Sequence, residues 1–229
     1  MQYIFDPLPP VTLAVANTPA RLPVRRVFCV ARNYAAHARE MGGDPQRDPP
    51  FFFTKWAETV VESGTIPYPA ETRNFHYEAE LVLVIGKAGH AIAPSEARQH
   101  LFGYAAGLDM TRRDLQAAAK DKARPWDVGK NVEFSSPVGT VHRVSDVGYL
   151  DKGAIQLRLN GDLRQSGDLS DMTWSGEDII AHVSRYYTLQ PGDLIFTGTP
   201  EGVGPAGPGD RLEVTIAGLD PLRVQIAAP

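Results

Sequence analysis

One cysteine in 229 residues, Cys29, excludes a disulfide within the chain. Its setting, Val27-Phe28-Cys29-Val30-Ala31, reads as that of a small buried hydrophobe rather than a nucleophile or ligand. Long apolar runs are missing: none approaches the roughly 20 residues that a membrane-spanning helix needs. The start of the chain has no charged stretch leading into an apolar one in the manner of a secretory leader, so a cytoplasmic location and no membrane partner are expected. Long basic stretches are also absent and the formal net charge is −4, which argues against nucleic acid as the main partner. A small anionic substrate stays compatible if local cations and a metal override the global sign. Internal repeats and low-complexity tracts are absent too.

What is present is enough apolar content, 43%, to bury a substantial core without disulfides. Residues 1–24, with Pro7, Pro9, Pro10, Pro19 and Pro23, read as an N-terminal arm in which proline blocks helix and central strand. Residues 25–229 read as a single catalytic domain. Strands are predicted over 25–31, 51–56, around Glu78–Ile85, over Gly103–Leu108, at 194–197, 211–216 and 222–226. Asn160-Gly161 between 155–159 and 163–166 is a strong hairpin signal. Helices are expected from Asn33 through Met41, over 95–100, over about 111–122 and from Ser175 through Tyr186, the last with Glu177 and Asp178 in its first turn. Many short strands with few helices and no regular strand–helix alternation argue for an α+β, mainly β fold of the sandwich or roll kind.

Three acids interrupt segments otherwise apolar enough for a core. Glu78 and Glu80, two apart in Tyr77-Glu78-Ala79-Glu80-Leu81-Val82-Leu83-Val84-Ile85, leave one face of a strand, and Asp109 ends the run Gly103–Leu108. Burying even one unpaired charge nominally costs on the order of tens of kcal/mol, so converging carboxylates need a cation. An all-oxygen set suits Mg²⁺, Mn²⁺ or Ca²⁺. The alternative is a solvated strand entrance, with Asp109 capping the next helix. His37 and Glu40 are neighbours on one helical face, where a carboxylate can orient an imidazole as a general base toward water; a solvated helix offers the same spacing by chance. Arg113 and Gln116 share a helical face just after Asp109, with ordinary helix surface as the other reading. Lys130 follows Trp126 and Gly129 in what reads as a loop, where a surface lysine is the default. In Thr197-Gly198-Thr199-Pro200-Glu201-Gly202 glycine amides and threonine hydroxyls can meet an anion; a plain turn is the alternative, and the ending of an NTPase phosphate loop is missing.

Taken in order, Arg32-Asn33-Tyr34 with His37 and Glu40, Glu78-x-Glu80, Leu108-Asp109-Met110-Thr111, Pro125-Trp126 leading to Lys130, and Thr197-Gly198-Thr199-Pro200 resemble the fumarylacetoacetate hydrolase family from about Val27 to the C-terminus. The resemblance implies a mixed β-sandwich roll of that family's C-terminal-domain type, a homodimer, and Mg²⁺ or Mn²⁺ on Glu78, Glu80 and Asp109. It also implies a water-activating His37–Glu40 dyad. Lys130 and Gln116 are then the candidates for stabilising the adduct or enolate, and Arg113, Lys55 and Thr199 for gripping substrate. The reaction implied is hydrolysis of the carbon–carbon bond of a 2,4-diketo acid, with fumarylpyruvate giving fumarate and pyruvate in gentisate degradation as the first choice. Oxaloacetate decarboxylation and dienoate isomerisation are the rival activities. A β-rich binding module with structural Ca²⁺ is the non-enzyme alternative. Ala31 stands where glycine is frequent in the family, and Trp56 where proline is usual, so Trp56 is expected to reshape the pocket.

Overall fold

Leu81, Val82, Leu83, Val84 and Ile85 leave no polar position in either parity, so the strand that carries them must be covered on both sides. The computed structural model, which describes residues 2–35 and 49–228, provides both covers. Ala79–Ile85 lies inside a six-stranded sheet ordered His142–Arg143, Leu101–Leu108, Ala79–Ile85, Asp193–Phe196, Arg26–Ala31, Phe51–Lys55. Neighbours are antiparallel except Asp193–Phe196 against Arg26–Ala31. Leu81, Leu83 and Ile85 join Phe28 and Ile195 in one apolar cluster with Ile155, Leu157, Leu212 and Val214 of a second, five-stranded sheet. Val82 and Val84 point the other way, into a cluster with Cys29, Leu194 and Phe196.

The second sheet is ordered Asp162–Asp168, Ala154–Leu159, Arg211–Ile216, Leu222–Ile226, Gly64–Ile66. Its edge hairpin turns at Asn160 and Gly161, both at positive φ, which an Asn-Gly pair tolerates at little steric cost. Helix Gly176–Tyr186 opens with a capping box in which the Ser175 hydroxyl accepts from the amide of Asp178 and the Asp178 carboxylate accepts from the amide of Ser175. Ile179, Ile180 and Val183 turn its apolar face into the core between the sheets. The expected mainly β sandwich with few helices is what forms.

One expectation needs correction. Residues 1–24 are more than an arm, because Thr12–Ala14 and Arg21–Pro23 pair as a short hairpin and bury Leu13 and Val15 over the outer face of the six-stranded sheet. Proline did not prevent this, since Pro23 sits at the end of an edge strand where no further ladder bond is required of it. The Asn33 carboxamide donates to the carbonyls of Trp174 and Thr197 and accepts from the amide of Trp174. Most of the helix expected from Asn33 through Met41 lies outside the described residues.

Leu83→Ala, in the core between the sheets, is expected to cost about 2–5 kcal/mol, whereas Leu163→Ala on the exposed hairpin strand should stay within about 0.5 kcal/mol. Urea denaturation of the two variants checks the assignment; equal losses would contradict this division of core and surface.

Candidate active site

Continuing the parity of Val82 and Val84 along the chain brings Glu80 and Glu78 to the same outer face of the six-stranded sheet, and Asp109 enters from the end of Leu101–Leu108 beside it. The antiparallel pairing of Glu80 with Gly107 and the hydrogen bond from the Asp109 amide to the Glu78 carbonyl, 2.9 Å, fix the register that brings the acids together. One oxygen of each of Glu78, Glu80 and Asp109 lies within 4.8 Å of the others, and all three residues are buried. The reading of a solvated strand entrance is therefore excluded.

Cations surround them. Lys130 Nζ donates to Glu78 Oε2 at 2.9 Å and to Asp109 Oδ2 at 2.6 Å. Lys55 Nζ donates to Asp109 Oδ1 at 2.8 Å, and Arg113 Nη2 donates to Glu78 Oε1. Three carboxylates thus face three cations. Glu80 stands apart: its Oε2 accepts from the amide of Gly198 at 2.7 Å, and it has no ion pair among the described residues. Burial, followed by the charges of Asp109 and Glu78, pushes its pKa well above the usual carboxylate range, against the pull of Lys130 and the Gly198 amide. Burial would depress the Lys130 pKa, but Asp109 and Glu78 outweigh it and the value is raised; the lysine stays charged.

The second layer explains why these groups converge. Gly129 lets the turn Asp127–Lys130 approach helix Arg113–Asp121 so closely that a Cβ there would lie 3.0 Å from the backbone nitrogen of Gln116. Lys130 is thereby carried inward, and the default surface lysine becomes a buried one. Gly198 combines φ +97° with a close approach to Asn33, where a Cβ would meet the Asn33 Cβ at 2.8 Å. Its amide holds Glu80, so the expected role of this loop amide in receiving an anion is corrected: it serves a protein carboxylate. Gln165 was missed altogether. Its side chain accepts from the Ala79 amide and donates to Thr199 Oγ1 and the Pro200 carbonyl, locking Thr199 against the Glu78–Glu80 segment. Gln165 is the one buried residue of strand Asp162–Asp168, whose other positions are exposed or half-buried, so nothing in its neighbours along the chain marked it.

Arg113, Gln116, Lys130 and Thr199 line the same cleft as the three acids, with Phe53 and Trp126. Arg113 Nη1 donates to Gln116 Oε1 at 2.6 Å. Lys55 does not line it: its Nζ lies beneath Asp109, bonded also to the carbonyls of Met110 and Ser135, so the expectation that it grips substrate gives way to one of positioning Asp109. Trp56 is exposed and away from the cleft; Trp126 supplies the aromatic wall instead. His37 and Glu40 lie outside the described residues. Cys29 is buried, with its thiol pKa raised by burial first, in keeping with a core role.

Residues 26–227 match the family described as Fumarylacetoacetate (FAA) hydrolase C-terminal. The chain belongs to the fumarylacetoacetate hydrolase family. It is 50% identical over 170 residues to a fumarylpyruvate hydrolase of Ralstonia, covering 74% of this chain and 88% of the relative. It is 39% identical over 205 residues to a mitochondrial oxaloacetate tautomerase of Homo sapiens, covering 90% and 93%. Among solved structures, fumarylpyruvate hydrolase from Pseudomonas aeruginosa in complex with Mn²⁺ and pyruvate superposes with a TM-score of 0.97 at 46% identity, covering 100% of both chains.

Lys55→Met removes one cation from a buried network and leaves an oxygen of Asp109 without it. Breaking such a pair is expected to cost about 3–5 kcal/mol, measured by urea denaturation of the metal-free protein. A loss under about 1 kcal/mol would mean that Lys55 is not what compensates Asp109.

Proposed function

We propose that this protein is a Mg²⁺- or Mn²⁺-dependent hydrolase that cleaves fumarylpyruvate to fumarate and pyruvate. The observation that carries the proposal is the buried convergence of Glu78, Glu80 and Asp109, read together with the 50% identity to a fumarylpyruvate hydrolase. The donor set fits a hard dication: all ligand atoms are carboxylate oxygens, and Glu80 is a buried carboxylate held only by a backbone amide among its described contacts. When bound, the dication supplies Lewis-acid charge for the 2-oxo acid end of the substrate.

The chain's own residues do the rest. The acids and Lys55, Lys130 and Arg113 are formally neutral together, so a dication leaves the pocket doubly positive, suited to the anionic 2-oxo acid end of the substrate. His37, oriented by Glu40, takes a proton from the water whose oxygen bonds to the C4 carbonyl carbon. Breaking C3–C4 releases an electron pair toward the 2-oxo group, C3 takes a proton, and pyruvate and fumarate result. Lys130 has three donors, two of them directed at Glu78 and Asp109; the third is available to oxygen charge that develops in the adduct. Gln116, held by Arg113, presents its amide to the same region, and Thr199 offers a hydroxyl fixed by Gln165. Lys55 acts through Asp109. Membership of the family also supports a homodimer and a cytoplasmic location as parts of this proposal.

The tautomerase relative favours one rival, enolate chemistry on oxaloacetate without hydrolysis. His37→Ala separates the two: pyruvate release from fumarylpyruvate should fall by about 10²- to 10⁴-fold, and retained turnover of oxaloacetate in the same variant would confine the dyad to water activation. Wild type that turns over oxaloacetate but never fumarylpyruvate would sink the hydrolase reading.

Metal binding has its own readout. At about 100 times Kd, Mn²⁺ should add about 2.7 kcal/mol of stability, a rise in Tm of about 5–10 °C for a chain of this size. The shift should vanish in Asp109→Asn. An equal shift in both proteins would place the ion elsewhere.

A further inference from the structure

Beyond the neutral inner cluster the cleft holds two more cations, Arg32 and Lys120. Neither forms an ion pair with the three acids among the described contacts. Both are tied to aromatic rings that stand in one continuous row. The Arg32 guanidinium carbon is 6.0 Å from the centroid of the Phe51 ring; Phe51 meets Trp126 edge-on at 5.7 Å; Phe53 packs on the same indole at 5.7 Å; and Lys120 Nζ is 5.6 Å from the indole centroid. Phe53 and Trp126, inclined at 59° to one another, thus form an apolar side of the cleft, with Lys120 against Trp126 and Arg32 against Phe51 behind it.

Gathering these charges is unfavourable without an anion. Lys120 has its pKa pushed down by burial and then by the repulsion of Arg32 and Arg113, only partly opposed by Glu78. Arg32 also sits at φ 59°, a left-handed conformation that a non-glycine residue adopts at some cost and that is found concentrated at functional sites. The inner cations Lys55, Lys130 and Arg113 are matched by the acids; Arg32 and Lys120 line the same cleft with no carboxylate partner among the described residues. A trans-enoyl chain keeps the two carboxylates of fumarylpyruvate apart, so when the 2-oxo acid end lies at Glu78, Glu80 and Asp109 the distal carboxylate must be received elsewhere.

We propose that Arg32 and Lys120 are specificity-determining residues that receive the distal carboxylate of the acyl tail, while Phe53 and Trp126 flank the conjugated carbons between the two ends. The inference rests on the hydrolase reading above and assigns its choice among acylpyruvates. An acylpyruvate with a neutral tail would meet the aromatic wall but leave both cations without a partner.

The test compares fumarylpyruvate with acetylpyruvate, whose tail carries no carboxylate, in Mn²⁺-loaded wild type, Arg32→Met and Lys120→Met. Each substitution should lower kcat/KM for fumarylpyruvate by about 10- to 100-fold, the usual worth of a charge-assisted contact, and leave acetylpyruvate within about threefold. Lys120→Arg should keep most of the selectivity. Fumarate should lose potency as a product inhibitor in both Met variants while pyruvate keeps it. Equal losses on both substrates would assign these cations to the 2-oxo acid end or to folding, and no loss on either would remove them from recognition; both outcomes overturn the proposal. If a variant fails to fold, wild type still decides: rising salt should raise KM for fumarylpyruvate more steeply than for acetylpyruvate, and equal slopes would count against the subsite. Wild type inactive on both substrates would instead defeat the hydrolase reading itself.

Discussion

Like charges held together in a dry place are the constraint from which the rest of this structure follows. Glu78, Glu80 and Asp109 cannot be ionised side by side at the end of a buried sheet unless positive charge is brought to them. The chain brings it from three directions: Lys55 from the sheet edge, Lys130 from a short helical turn, and Arg113 from the first residue of a helix. Each needs its own local device. Pairing of Phe51–Lys55 with Arg26–Ala31 aims Lys55 beneath Asp109, Gly129 lets the Lys130 turn close on the helix, and the Arg113 amide bonded to the Asn74 carbonyl sets where that helix starts. The site is therefore a property of the whole six-stranded sheet and its flanking turns.

Compensation is uneven, and the unevenness has chemical content. Glu78 and Asp109 each meet charged donors, whereas Glu80 meets an amide and is held above the usual carboxylate range. Three protein cations satisfy the cluster in formal charge while leaving one carboxylate underserved in geometry. A dication among the three oxygens would serve Glu80 as well, because a metal can approach all three acids where an ammonium at the end of a flexible chain reaches two.

Much of this was legible in the sequence because it rests on local rules. Period-2 spacing placed Glu78 and Glu80 on one face even though the regular strand begins only at Ala79; the Asn-Gly turn, the Ser175 cap and the two C-terminal strands are decided by neighbours along the chain. What was not legible depends on partners far away in sequence. Lys130 looks like a surface lysine until Gly129 is seen packing against Gln116, and Lys55 looks like a substrate contact until the Ser135 carbonyl is found above it. Gln165, more than 80 residues from Ala79, gives no local hint of its bond to that amide. The N-terminal hairpin was hidden for another reason: its prolines suppress strand propensity, but Leu13 and Val15 gain more from covering the sheet than three-residue edge strands lose.

Placing the charges in two zones also separates reactivity from selectivity. In the inner zone acids and cations balance, so a positive field toward the substrate arises only with a metal, and binding of a 2-oxo acid becomes conditional on the ion that its chemistry requires. In the outer zone Arg32 and Lys120 are held by rings rather than by carboxylates, so neither shares its partner with the metal. Such cations can attract a dianion at a distance but grip only the end of a chain long enough to reach them. A substitution there can change which tail is accepted without disturbing the metal ligands, since no carboxylate of the cluster depends on either residue for its neutralisation. The inner cluster, by contrast, tolerates no change of sign at any one of its six members without exposing the repulsion it exists to contain.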